Sequence, residues 1–203
     1  MSAPTPKPRD RFLPTPDSAD GQIEDLICTL LGQLGAHDGA SLQHSFRVAQ
    51  LAGALGQALR LSPTERRELH WSALLHDIGK LFVPTAILNK PAALTVEERR
   101  WVDLHAQGGA ALLAAYKVLP ASVIQVARHH HDPHCTPAPG PRLSLPVRIV
   151  AVADVYDALT SARPYKPAWT REAALAELQR CAGHCFDPQL VAVFAQMLTA
   201  PQA

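Results

Sequence analysis

From Gln22 onward, apolar side chains recur at helical spacing: Ile23, Leu26, Ile27, Leu30, Leu31 and Leu34, closing at Gly35. That stripe predicts an amphipathic helix with one buried face. Ser41 is placed to cap a second helix carrying Phe46, Val48, Ala49, Leu51, Ala52, Leu55 and Leu59, which ends near Leu61. A third starts at Ser62-Pro63, because proline suits a first helical turn, and runs through Glu65 and Leu69 to Leu75 and His76. Further helices are predicted over 95–107, 109–116, 121 to about 131, 146–161, 170–181 and 188–198. Breaks fall at Pro84, Pro91, Pro120, the Pro133–Pro141 stretch, Pro164 and Pro167. Only Arg148–Val155 has a β-like run of Ile and Val, and its Ala-rich continuation favours a buried helix instead. The pattern predicts an all-α fold without internal repeats.

Residues 1–20 break this periodicity. Pro4, Pro6, Pro8, Pro14 and Pro16 stand among Lys7, Arg9, Arg11, Asp10 and Asp17, a mixture expected to form a disordered, Pro-rich tail. That leaves one domain over 21–203, and a chain of 203 residues with 47% hydrophobic content has the means to bury a core. With 19 Lys and Arg against 18 Asp and Glu, no global field recruits a nucleic acid polymer or an anionic membrane, so any anionic ligand must be held locally. No apolar run approaches the ~20 residues of a membrane helix, and the N-terminus lacks the apolar stretch of a secretory signal. The expected location is the cytoplasm, with thiols reduced. Cys28, Cys135, Cys181 and Cys185 lack the paired short spacing of a zinc knuckle; Cys181 and Cys185, flanking His184, read as packing at a helix end.

Histidine usage carries the chemistry. Ten occur, several beside carboxylates inside predicted helices, where clustering suggests metal ligation. The strongest case is Ala73-Leu74-Leu75-His76-Asp77-Ile78-Gly79-Lys80, in which an apolar helix end delivers a histidine and an aspartate together. A buried carboxylate beside imidazole is costly unless a cation pairs with it, and a divalent metal does so well. The dipeptide alone is weak evidence, since it recurs at His37-Asp38 and His131-Asp132. His37-Asp38 sits in a polar, Gly-flanked connection and reads as a capping or loop pair.

Five islands resemble the HD superfamily, and specifically its HD-GYP branch, over roughly residues 36–196. They are Gln43-His44-Ser45-Phe46-Arg47-Val48-Ala49, like the family's His-Ser-x-Arg-Val-Ala; His76–Lys80; residues 81–98 with His105 following in a His-x-x-x-Gly context; Ala127–Asp132, like the family's His-His-Glu; and Arg148–Lys166. Five matches in the right order are a specific signal although each alone is weak. The resemblance implies a helical bundle with a metal site at its centre. It also implies two divalent ions, Fe, Mn or Zn: one held by His44, His76, Asp77 and Asp154, with Asp77 bridging to a second held by His105, His130 and His131. Neighbouring residues lie ~100° apart on a helix, so only two of His129–His131 reach one site; His130/His131 places Asp132 where the family has Glu, and His129/His130 is the other register. Asp77 and Lys80 are the expected catalytic groups, with a metal-bridging hydroxide as nucleophile. Lys80, Arg163 and Lys166 are the expected phosphate-binding groups, and Asp157 is expected to anchor structure through Arg163.

The implied activity is hydrolysis of cyclic di-GMP or a related guanine dinucleotide, with a protein signalling partner supplying regulation. Two alternatives stand beside it: a non-catalytic, metal-binding HD signalling module, and a hydrolase of another nucleotide or phosphate ester. The sequence departs from the branch in one segment. Where the family has Asp-Gly-x-Gly-Tyr-Pro, this chain has the Pro-rich Pro133–Pro141, with no Gly-Tyr-Pro. Ala40, one turn before His44, replaces a glutamate that recruits a third metal in some relatives, so two metals are expected rather than three.

Overall fold

The computed structural model describes residues 18–134, 143–162 and 167–199, all assembled from helices and short connections. Among the described residues ten α-helices follow one another: α1 (Ala19–His37), α2 (Gly39–Ala58), α3 (Pro63–Leu75), α4 (Thr85–Leu88), α5 (Val96–Asp103), α6 (His105–Ala114), α7 (Ala121–His129), α8 (Leu145–Thr160), α9 (Arg171–Arg180) and α10 (Pro188–Thr199). A 3-10 turn over Ile78–Phe82 links α3 to α4. Among the described residues the only β-type pairing is an isolated bridge between Ala182 and Phe186, so the all-α expectation holds. Most of the tail expected over 1–20, and Arg163 and Lys166, lie outside the described residues.

Helix starts follow local chemistry. Ser62 and Glu65 form a reciprocal capping box around Pro63 at the head of α3, and Thr95 and Glu98 do the same for α5. Several boundaries differ from the periodic pattern. Helix α1 opens at Ala19 under a Ser18 cap and runs past Gly35 to His37. Helix α2 is capped by Asp38, not Ser41: the Asp38 carboxylate accepts from the backbone N–H groups of Ala40 and Ser41 and from the Ser41 hydroxyl. Thus the His37-Asp38 dipeptide ends one helix and starts the next, as its polar context implied. The helix expected over 95–107 breaks at Leu104 into α5 and α6, and there the His105 ring donates to the Val102 carbonyl.

Helix α8 is the central element. Val147, Ile149, Val150, Ala151, Val152, Ala153 and Tyr156 are all buried, covering every side of it. A helix apolar all round belongs in the middle of a bundle, which explains why this segment mimics a strand in sequence. It packs against α2, α7, α9 and α10, while α3 lies against α2 and α7, and α6 against α7 and the 3-10 turn. Leu34, Leu55, Leu69, Leu113, Ile149, Leu178 and Phe194 are fully buried between these helices. Each such side chain contributes roughly 1.5–3 kcal/mol by leaving water. Tyr156 and Phe194 meet edge to face at 5.2 Å. Inside this rigid frame the only concentration of buried polar side chains of opposite character lies where α2, α3, α6, α7 and α8 converge, among the described residues.

Candidate metal centre

Three of the histidines sit at helix ends, and the position dictates how they point. The last carbonyls of a helix lack intrahelical partners. His76, just past α3, donates from Nδ1 to the Ala73 carbonyl at 2.8 Å; His105, just past α5, donates to Val102; His130, just past α7, reaches the Val126 and Ala127 carbonyls at 3.1 Å each. A carbonyl only accepts, so each Nδ1 carries a proton, and the opposite nitrogen, Nε2, is turned into the space between the helices. His44 lies inside α2, where carbonyls are already taken, and it donates instead from Nδ1 to Asp157 Oδ2 at 2.7 Å.

The four Nε2 atoms converge on two carboxylates. Asp77 Oδ2 lies 3.7 Å from His44 Nε2 and 3.4 Å from His76 Nε2, while its Oδ1 lies 3.1 Å from His105 Nε2 and 3.8 Å from His130 Nε2. Asp154 Oδ1 is 3.0 Å from His44 Nε2, and its Oδ2 is 3.8 Å from His131 Nδ1. All but His131 are buried, His76 completely. Three groups of potential ligand atoms lie within 4.8 Å of one another: His44, His76 and Asp77; His105, His130 and His131; and His76, His130 and Asp154. The seven side chains singled out from sequence are therefore one cluster.

His76 Nε2 is buried without a hydrogen-bond partner, and the Nε2 atoms of His105 and His130 stand 3.3 Å apart. A buried imidazole nitrogen without a partner is unfavourable, and a divalent ion among these side chains would supply one. The electrostatics show how strongly these side chains act on one another. Burial would depress the His44 imidazole, but the Asp154 and Asp157 carboxylates outweigh it and hold the group up at about 9. Burial, with His76 and His131 as neighbours, pushes His130 down to about 3. Burial raises Asp77, yet Lys80, His76 and His105 prevail and keep it well below the usual carboxylate range. Imidazole nitrogens with two carboxylates are a suitable donor set for divalent ions.

Lys80 completes the cluster, its ammonium 2.5 Å from Asp77 Oδ2. Gly79 brings the 3-10 turn against α6 so closely that an added Cβ would fall 1.9 Å from the His105 carbonyl oxygen, which is why no side chain stands between Asp77 and Lys80 on that face. His129 turns away and donates to Asp132, both about half exposed, which leaves His130 and His131 in the register chosen above. Sequence reasoning missed Arg47. It lies one turn beyond His44, and its Nε and Nη2 donate to Asp157 at 2.7 and 2.9 Å, so Arg47 is a partner Asp157 has among the described residues, while Arg163 lies outside them. The i, i+3 spacing from His44 inside a quoted motif was the available signal. Cys181 and Cys185 are free thiols outside every potential metal group of the described residues.

Two grooves flank the cluster. One of about 610 Å³ is lined by His44, Arg47, Lys80, Lys90 and Arg99; the other, about 750 Å³, by His105, His131, Arg128 and the same Arg99. Ala40 lines the first and offers no ligand atom.

A buried His-Asp pair at a helix end, joined by histidines from neighbouring helices, defines a class of helical metal-site proteins, and the sequence signature described as the HD domain matches residues 29–190. The chain belongs to the HD-domain family. It is 40% identical over 171 residues to a cyclic di-GMP phosphodiesterase of Pseudomonas aeruginosa, covering 82% of this chain and 41% of that protein. It is 35% identical over 187 residues to a cyclic di-GMP phosphodiesterase response regulator of Xanthomonas campestris, covering 89% and 50%. This chain therefore spans half or less of the length of these relatives. Its fold matches an HDG"Y"P protein of Bdellovibrio bacteriovorus with a TM-score of 0.66 at 20% identity, over 91% of this chain and 62% of that one. No helix among the described residues is long and apolar enough to cross a membrane.

Proposed function

We propose that this chain is a metal-dependent phosphodiesterase that hydrolyses cyclic di-GMP or a related guanine dinucleotide. The reading rests above all on Asp77, whose two oxygens face two separate groups of imidazoles, His44 with His76 and His105 with His130. Two divalent ions, of Fe, Mn or Zn, suit this arrangement: one among His44, His76 and Asp154, the other among His105, His130 and His131, with Asp77 shared. Such ions supply Lewis acidity toward a phosphoryl oxygen and a water of lowered pKa.

The chain's own residues do the remainder. Lys80 holds a fixed positive charge against Asp77, beside the place where phosphoryl oxygens gather negative charge. Two carboxylates among seven donors leave the loaded cluster net positive, which favours an anionic diester. Arg47, Lys90 and Arg99 line the 610 Å³ groove, a volume in the range of about 300–1,000 Å³ typical of small-molecule sites. Arg163 and Lys166 are further phosphate-binding groups by resemblance. The relatives named for cyclic di-GMP favour that substrate over other phosphate esters. A non-catalytic module is disfavoured because all seven donor positions keep a donor. A protein signalling partner belongs to the same reading.

The test is hydrolysis of cyclic di-GMP by protein reconstituted with Fe(II) or Mn(II), beside a His76→Ala/Asp77→Ala double variant, with metal content measured on both. Turnover lost in the double variant supports the reading. Two metals without turnover on any cyclic dinucleotide would redirect it to another phosphate ester or to the non-catalytic module.

A further inference from the structure

His44 differs from the other buried histidines of the cluster in what stands behind it. His76, His105 and His130 lean on backbone carbonyls that their helix ends leave free. His44 leans on the side chain of Asp157, three residues after Asp154 on α8 and buried to within 3% of full exclusion from solvent. Asp157 is itself held: Arg47 grips both of its oxygens, and the Ser161 hydroxyl stands 3.3 Å away. An anion behind an imidazole makes the opposite nitrogen a stronger donor than a neutral carbonyl does, and it also locks the ring and its tautomer.

We infer that Asp157, clamped by Arg47, is a positioning residue that makes the His44 side of the cluster the tighter of two unequal metal sites. This rests on the two-metal reading above. Asp154 and Asp157, one helical turn apart, then serve the same imidazole from its two ends: Asp154 meets Nε2 at 3.0 Å, and Asp157 receives the Nδ1 proton at 2.7 Å. The second site, around His105, His130 and His131, has only neutral backing for His105 and His130, and an outward-facing His131 whose side chain is 53% exposed. Arg47 contributes indirectly, by neutralising Asp157 in a place where an unpaired carboxylate would be costly.

The experiment is a titration of metal-free full-length protein with Mn(II), following free Mn(II) by electron paramagnetic resonance against a competing chelator, on wild type, Asp157→Ala, Asp157→Asn and Arg47→Met. Wild type is expected to fill in two steps of unequal affinity. Asp157→Ala weakens the first step by about 10- to 100-fold and leaves the second unchanged, the usual effect of removing a partner behind a ligand. Asp157→Asn keeps an acceptor for Nδ1 without the charge and falls between the two; Arg47→Met weakens the same step less than Asp157→Ala. A purely structural role would lower the melting temperature without separating the two steps. Should Asp157→Ala not fold, the asparagine and Arg47 variants carry the test. Unchanged affinities in those variants, or equal loss at both steps, overturn the inference alone. A wild type that binds fewer than two ions overturns the two-metal reading with it.

Discussion

Gly79→Ala is a single-methyl change with a large expected effect. A Cβ there would stand 1.9 Å from the His105 carbonyl oxygen, 2.5 Å from the Gly109 nitrogen and 2.8 Å from the His105 carbonyl carbon, where ordinary contact starts near 3.4 Å. Every one of these atoms is backbone, so no side chain can swing aside. The 3-10 turn and α6 must part by about 1.5 Å, carrying Asp77 and Lys80 away from His105. Overpacking of this kind costs about 1–3 kcal/mol, and more where backbone must move. For a domain of this size each kcal/mol lowers Tm by ~2–4 °C, so a drop of roughly 2–12 °C is expected. A displacement of ~1 Å at a reacting centre costs on the order of 100-fold in turnover. The assay pairs thermal unfolding of metal-free protein with metal content and diester hydrolysis. Gly53→Ala is the control: nothing lies within 4 Å of its new methyl inside α2, so helix propensity alone acts and stability should stay level or rise by up to ~1 kcal/mol. A Gly79→Ala protein with wild-type Tm and full metal content would refute the close approach of turn and helix.

Lys80→Met removes the cation beside Asp77 and should lower kcat by roughly 10²-fold, as loss of one charge-stabilising donor does, while both metals stay bound; an unchanged kcat would remove Lys80 from the chemistry. Arg99, on the wall shared by both grooves, is positioned for a phosphate away from the cluster, so Arg99→Ala should raise KM about 10-fold with kcat kept; a loss in kcat alone would contradict this. His130→Ala should abolish binding of one metal, whereas His129→Ala, which breaks only a half-exposed contact with Asp132, should leave metal content intact, read by elemental analysis of both proteins. Ser62→Ala undoes the α3 capping box and should destabilise by about 1 kcal/mol in urea unfolding without touching metal content.

Much of this was legible in the order of residues. The stripe in α1 and the Ser62-Pro63 start of α3 are local effects, so they appear in the pattern as they appear in space. The β-like Arg148–Val155 run was ambiguous in periodicity and was decided by its Ala-rich continuation; burial on every side explains the ambiguity. The seven clustered donors were reached through motif resemblance rather than spacing, because helices far apart in sequence bring them together. What stayed hidden depends on tertiary proximity. The break at Leu104 sits beside a hydrogen bond from the His105 ring to the Val102 carbonyl, and the Asp157–Arg47 clamp spans 110 positions. Neither leaves a periodic trace. Arg163, the partner expected for Asp157, lies outside the described residues, and Arg47 becomes a neighbour only after α2 packs on α8.

The most direct test of a two-ion cluster centred on Asp77 is anomalous diffraction from crystals of the Mn(II)-loaded protein. Two peaks a few ångströms apart are predicted, one among His44, His76 and Asp154, the other among His105, His130 and His131, each touching a different oxygen of Asp77. A single peak, or two peaks that leave Asp77 unshared, would contradict it.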